Sequence, residues 1–153
     1  MRLALYQPDI PQNAGTLLRL AACLDVGVDI VEPCGFLFSD RHFRRAGLDY
    51  WPEVDLTRHR SWSAYRAAAP AGRLVALAAR ADISYIDFRF RPDDTLLLGQ
   101  ESTGLPAEVE AAADARLCIP MHPGMRSLNV AVAAAMVLGE ALRQTDGWPR
   151  RPQ

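Results

Sequence analysis

The sequence predicts an α/β fold around a mainly parallel sheet. Three observations carry this expectation. Strand-like apolar runs alternate with segments of helical periodicity, as in chains that wind helices over a parallel sheet. Several of the runs end in Pro- or Gly-bearing turns: "YQP", "LLLGQE" and "CIPMHPG". The chain has 153 residues, of which 50% are hydrophobic, enough for one domain with a real core.

The elements follow in order. "RLALYQP" alternates like a strand entering the core and ends at Pro8. In "PQNAGTLLRLAACLDVG", Asn13 is the expected N-cap, Leu17, Leu18, Ala21, Ala22 and Leu24 form an apolar helical face, and Gly27 is the expected stop. "VDIVEP" is a second strand. "SDRHFRRAGL" reads as a short helix capped by Ser39 or Asp40, with its arginines outward. "YWPEVDLTRH" holds a short strand, and "SWSAYRAAAP" is a helix that stops before Pro70. "GRLVALAA" is a strongly apolar strand. "DTLLLGQESTGLP" is a strand running into a Gly-rich turn, followed by the short helix "AEVEAAADA" and the strand "RLCIPM". "SLNVAVAAAMVLGEALRQ" is the last, long helix, with Ser127 or Asn129 as its cap. Residues 145–153 are expected to fray, and residues 1–153 to form a single domain.

Composition excludes several function classes. No run reaches the ~18 apolar residues of a membrane span. The opening "MRLALYQPDIPQN" is too quickly interrupted by Pro and Asp to resemble a signal peptide, so a soluble, cytoplasmic protein is expected. Cys23, Cys34 and Cys118 are scattered, with no CxxC and no histidine at ligand spacing. They read as buried thiols rather than a disulfide or zinc framework, and no metal is expected. All 17 basic residues other than histidine are arginines. They cluster at Arg41, Arg44 and Arg45 and again at Arg58 and Arg60. Guanidinium forks suit phosphates, but a GC-rich coding sequence produces the same Arg bias, so this feature does not decide by itself.

Ligands of open α/β sheets sit at the carboxyl ends of strands, so the three turns are expected to converge on one site. In the first motif, "NAGTLLR", Asn13 and Arg19 flank a glycine; a plain cap and a solvated helix arginine would explain them equally. In the second, "LLLGQESTGLP", Gly99 follows an apolar strand and would let a ligand approach the backbone, with Glu101 set between two glycines. These glycines match neither GxGxxG nor a P-loop, and the chain has no lysine to serve a P-loop, which disfavours a diphosphate-binding fold. The third, "IPMHPGMRSLNVAVA", offers more polar groups than a helix cap needs. His122 fits an exposed loop better than catalysis, and Met121 and Met125 suit a pocket or core wall.

Taken together and in this order, the motifs NxGxxxR, GxExxGLP and IPM…RSLN resemble the SPOUT superfamily of S-adenosylmethionine-dependent RNA methyltransferases. The likeness is greatest to the minimal YibK-like or TrmL-like group, which methylates the ribose 2′-hydroxyl of the wobble nucleotide of tRNA. It spans nearly the whole chain, including "RRAGLDYW" and "TRHRSW". The resemblance implies a Rossmann-like, mainly parallel sheet whose C-terminal third forms a deep trefoil knot that holds the cofactor bent. It also implies a homodimer with the active site at the interface. By motif matching, cofactor contacts fall on Leu77, Gly99, Glu101, Ile119, Met121 and Ser127, and the catalytic set on Asn13, Arg19, Glu101, Ser127 and Asn129. Cytidine or a modified uridine is the implied acceptor. Another tRNA site, ribosomal RNA, or a non-catalytic RNA-binding module are the alternatives; ribosomal work is associated with relatives that carry extra RNA-binding domains. Arg41, Arg44, Arg45, Arg58 and Arg60 are the expected phosphate contacts. The chain departs from the family pattern at Gly139, where a tyrosine is common, at Gln100, where Pro or Ser is common, and after Asn129, where "VAVAAA" lacks a further Ser or Asn.

Overall fold

The computed structural model describes residues 1–37, 54–68 and 72–150. The proposed helix over "SDRHFRRAGL", with its caps Ser39 and Asp40, and the arginines Arg41, Arg44 and Arg45 lie outside the described residues.

Among the described residues, seven strands form one sheet: β1 (Arg2–Tyr6), β2 (Gly27–Val31), β3 (Leu56–His59), β4 (Leu74–Leu77), β5 (Ile83–Ser84), β6 (Thr95–Leu98) and β7 (Ala115–Cys118). Their order is β3-β2-β1-β6-β4-β7-β5, and every pairing between these strands is parallel. Four helices are described: α1 (Pro11–Leu24), α2 (Trp62–Ala68), α3 (Ala107–Ala111) and α4 (Val130–Thr145). β1 is central, with Leu3 aligned to Val28 of β2 and to Leu96 of β6.

Alternation along β1 sorts the core into two faces. Leu3 and Leu5 join Leu17, Leu18, Leu96, Leu98 and Leu138 beneath α1 and α4. Ala4 and Tyr6 join Val31, Tyr65, Leu97 and Val109 beneath α2 and α3. A parallel sheet covered on both faces has no polar side, which is why its strands read as nearly unbroken apolar runs.

Two expectations about α1 need correction. Its N-cap is Ile10, which makes no side-chain cap bond, and Pro11 occupies the first turn. A proline there has no N–H to satisfy and its ring presets the helical φ, so the helix begins before Asn13 and leaves that amide inside the first turn. At the other end, Asp25 adopts the left-handed conformation (φ 53°) and its N–H reaches Ala21 and Ala22 carbonyls, so the helix ends before Gly27. Gly27 instead opens β2, where an added Cβ would stand 2.2 Å from the Arg2 guanidinium Nη1.

The space kept by Gly27 admits a polar cluster. Arg2 Nε donates to Asp29 at 2.7 Å and its Nη1 to Asp55 at 2.5 Å. His59 Nε2 donates to the other oxygen of Asp29 at 2.8 Å. On the next strand pair, Asp94 is fully buried and accepts from Arg73 Nε and Nη2 at 2.9 and 2.8 Å, a fork that fixes the entry to β6. β5 was not foreseen. It is two residues long, pairs only with β7 and has no periodicity to read.

The cysteines also differ from expectation. Cys23 is exposed on α1, while Cys34 and Cys118 are partly buried; all three are free thiols. Burial pushes the Cys34 thiol up to about 11.

α4 ends at Thr145, where Asp146 takes the left-handed conformation and Gly147 N–H donates to Leu142 O at 2.9 Å. The Trp148 ring comes to 3.9 Å from where a Cβ on Gly139 would stand.

Candidate active site

Four neighbouring strands, β1, β6, β4 and β7, send their carboxyl ends toward one cavity of about 560 Å³. That size suits a small-molecule site. The sheet order reverses direction between β1 and β6, which is where an open α/β sheet leaves a crevice. The turns expected to converge do so. Ile10 and Asn13 come from the start of α1, Leu77 to Ala79 from the end of β4, Leu98 to Glu101 from the end of β6, and Ile119 and Met121 from the exit of β7. Arg126 to Val130 complete the wall ahead of α4.

Gly99 lines the cavity, and its lack of a side chain is also required by the chain itself. An added Cβ would stand 2.5 Å from the Gly104 carbonyl carbon and 2.6 Å from Leu105 N. The close approach is the chain's own, because Gln100 and Gly104 exchange backbone hydrogen bonds of 3.1 and 2.8 Å and close the turn on itself. Gly104 has φ +74°, which a glycine adopts without strain. Gln100 braces the same turn: its Nε2 donates to Gln7 O at 3.1 Å and its Oε1 accepts from Thr103 Oγ1 at 2.6 Å.

A directional hydrogen-bond chain runs through the site. Asn129 is the N-cap of α4, and its Oδ1 accepts from Ala131 N at 2.9 Å and Val132 N at 3.3 Å. That role turns its Nδ2 outward, where it donates to Asn13 Oδ1 at 2.9 Å. With its oxygen so used, Asn13 presents its NH₂ to the Glu101 carboxylate, to which it is hydrogen-bonded. Three residues from segments 28 to 116 positions apart in the chain are thus oriented by one helix N-terminus.

Glu101 meets a second acid. Asp9 N–H points to Glu101 Oε2 at 3.4 Å, and Asp9 Oδ1 accepts from Glu101 N at 3.0 Å. Asp9 also accepts from Ser102 N at 3.3 Å and from the Ser102 hydroxyl. The Glu101 hydrogen bond, helped by the Ser102 and backbone donors, holds the Asp9 carboxyl down at about 2. Glu101 moves the other way: burial first, then the adjacent Asp9 carboxyl, raise it above the ordinary range. The shared site thus shifts the two carboxyls in opposite directions.

Of the residues singled out from sequence, Asn13, Leu77, Gly99, Glu101, Ile119, Met121, Ser127 and Asn129 line this cavity. Arg19 does not; it is exposed on α1, outside the lining. Met125 and His122 are exposed, the latter with Nδ1 3.0 Å from Pro123 O. Arg58 and Arg60 line a separate recess of about 350 Å³ beside Cys34, where Arg58 is paired with Glu32. Sequence reasoning missed Asp9 and left Arg126 without a role. Arg126 was signalled by its place in "RSLN"; nothing near Asp9 in the chain announces a partner 92 residues away.

Comparison with known proteins places this geometry. Residues 1–139 match the model of the SpoU rRNA Methylase family. A protein of Beijerinckia indica named tRNA (cytidine(34)-2'-O)-methyltransferase is 65% identical over 144 residues, 93% of this chain and 90% of that protein. The Escherichia coli K12 protein of the same name is 38% identical over 97% of this chain and 96% of its own length. Among solved structures, one described as giving insight into 2-OH methylation of C/U34 on tRNA superposes with a TM-score of 0.88 at 50% identity, covering 94% of each chain. AviRb, a SpoU methyltransferase of Streptomyces viridochromogenes solved with AdoMet, superposes with a TM-score of 0.80 at 28% identity, over 94% of this chain and 60% of that one. With the family match running from the first strand into the last helix, across every segment that builds the cavity, the chain belongs to the SpoU methylase family.

Proposed function

We propose that this protein transfers a methyl group from S-adenosylmethionine to the ribose 2′-hydroxyl of nucleotide 34, a cytidine or a modified uridine, in tRNA anticodon loops. The observation that carries this reading is the convergence of Asn13, Glu101, Ser127 and Asn129 on one cavity walled by Leu77, Gly99, Ile119 and Met121. The relatives that match nearly end to end and bear that activity in their names support it.

The residues present fit the cofactor. The cavity is walled largely by apolar side chains and turn backbone, and its one lining carboxylate, Glu101, is already engaged by Asn13 and the Asp9 N–H. S-adenosylmethionine, when bound, supplies an electrophilic methyl group on a cationic sulfur. Leu77, Gly99, Ile119 and Met121 are placed to hold the adenosine part with backbone groups and apolar contact. A neutral wall avoids stabilising the charge that the reaction removes, which would favour the ground state. Asn13, Ser127 and Asn129 offer fixed dipoles to the ribose, whose hydroxyl is a poor nucleophile and must lose its proton as it attacks. Alignment of hydroxyl and methyl supplies most of the acceleration.

Arg19 is assigned to positioning the nucleotide phosphate and to stabilising a developing alkoxide, with a phosphate oxygen, Glu101 or water as the base. Its place outside the lining supports a homodimer in which the active site lies at the interface. So does the exposed apolar stripe of Leu128, Val132 and Met136 on α4 and the turn before it. The finer fold, a single domain over 1–153 with a deep trefoil knot, is supported by the likeness to SpoU methyltransferase structures over 94% of the chain and by the packing of α4 back on α1 and β6. The substrate supports a cytoplasmic location. Arg41, Arg44, Arg45, Arg58 and Arg60 are assigned to tRNA phosphates, giving salt-sensitive affinity.

The test is transfer of labelled methyl from S-adenosylmethionine to native and unmodified tRNA pools, with digestion and identification of the nucleosides. A 2′-O-methylated pyrimidine at nucleotide 34 is expected. Transfer only to ribosomal RNA, or none despite bound cofactor, would overturn the proposal.

A further inference from the structure

The turn between β1 and α1 is tied to the catalytic turn more tightly than either needs for its own closure. Gln7 has φ 44°, and its carbonyl accepts from Gln100. Pro8 O accepts from Gly35 N at 2.9 Å, and a Cβ on Gly35 would stand 2.9 Å from Asp9 Cα, so the chain is pressed against Asp9 from behind. In front, the tip of the 99–104 turn directs two backbone N–H groups, of Glu101 and Ser102, at the Asp9 carboxylate, and the Ser102 hydroxyl adds a third donor. Asp9 returns its own N–H to Glu101. This is the logic of a capping box written across 92 residues of chain. Asp9 does not line the cavity, but Glu101 does, and Glu101 is hydrogen-bonded to Asn13.

We propose that Asp9 is a positioning residue for methyl transfer: by anchoring the Glu101 and Ser102 amides it sets where the Glu101 carboxylate stands in the cavity, beside the Asn13 amide. The proposal rests on the methyltransferase reading above. Asp9 contributes an acceptor for the Glu101 N–H, the Ser102 N–H and the Ser102 hydroxyl, and a negative charge beside the Glu101 carboxyl. An asparagine there would turn an NH₂ toward one of those donors and release that side of the turn.

The experiment compares the wild-type chain with Asp9→Asn, Asp9→Glu and Ser102→Ala. It reads cofactor affinity by calorimetry without tRNA, kcat and KM for tRNA in the transfer assay, and thermal stability by circular dichroism. Asp9→Asn should weaken cofactor binding and lower kcat by about tenfold or more, the scale of a misplaced reacting geometry. Its KM for tRNA should stay within about twofold of wild type, because Asp9 lies outside the cavity lining and its carboxylate is taken up by the 99–104 turn. Asp9→Glu, which keeps the charge and both acceptors, should recover most of the loss. Ser102→Ala, which removes one donor and no charge, should show a smaller loss in the same direction and serves if Asp9→Asn does not fold. Cofactor affinity and kcat near wild type in the folded variants, with only the melting temperature lowered, would overturn the proposal and leave Asp9 a brace of the fold. Failure of the wild type to methylate tRNA would instead overturn the function, while the calorimetric comparison still decides the role of Asp9.

Discussion

Asp29 and Glu101 are both carboxylates withdrawn from water, yet their surroundings are opposite. Asp29 sits in the middle of β2, almost fully buried, with the Arg2 guanidinium on one oxygen and the His59 imidazole on the other. Glu101 sits at the tip of a turn at the cavity, where its charged neighbour is another acid, Asp9, and its donors are an amide side chain and a backbone N–H. The first arrangement joins three strands: Arg2 is on β1, Asp29 on β2 and His59 on β3. The second joins two turns across the mouth of a site. A buried anion next to a cation is a structural tie, and removing one partner leaves a charge stranded. An anion next to an anion is held in place by the donors that surround it, and burial together with the crowding raises its pKa. The comparison separates a carboxylate that holds the sheet from one that serves the cavity.

The largest expected effect lies on the structural side. Asp29→Ala takes the buried partner from His59, leaves Arg2 with Asp55, and should lower unfolding free energy by about 3 kcal/mol. Urea denaturation with an unchanged slope checks it, and a loss no greater than that of a surface change would break the contrast. Glu101→Gln is the counterpart. It removes one of two adjacent acids, so stability should stay within about 0.5 kcal/mol of wild type, while methyl transfer falls by tenfold or more if the carboxylate orders Asn13, on the order of the effects of site misplacement. Stability loss comparable to that of Asp29→Ala would place Glu101 with the structural ties.

The smallest effect is a pH dependence. Asp9 titrates near the ordinary aspartate value of 3.8 when unfolded and at about 2 in the fold. Its contribution is therefore complete above the unfolded value and is lost as pH falls from about 4 toward 2. Glu101 is raised in the fold, so its contribution has the opposite sign: present below its unfolded value of 4.5 and lost as pH rises through the folded one. The difference in urea midpoint between wild type and Asp9→Asn should shrink as pH is lowered through the Asp9 window. A constant difference from pH 5 to pH 2 would mean that the Asp9 charge plays no part in holding the turn.

Much of the architecture was legible because it is written in local periodicity. The unbroken apolar runs at β1, β4 and β6 mark strands buried on two faces, and Asn129 before "VAVAAAM" marks a cap that the structure uses. Asn13 shows the limit of the same signal. It is a good cap residue in a good place, but Pro11 starts the helix earlier, and the amide becomes a link between Asn129 and Glu101. The two-residue β5 was invisible, since it pairs only with β7 and so short a strand carries no pattern.

The sequence by itself determined the alternation of strands and helices, the places where each strand ends in a turn, and the residue types gathered at those turns. These follow from burial and turn chemistry, which act over a few neighbouring residues. Only the tertiary structure decided which turns meet. The order β3-β2-β1-β6-β4-β7-β5 sets β1 beside β6, which brings Asp9 to Glu101 across 92 residues, and the packing of α4 on α1 brings Asn129 to Asn13 across 116. Contacts of that separation depend on how the sheet is wound, and no short stretch of the chain encodes them.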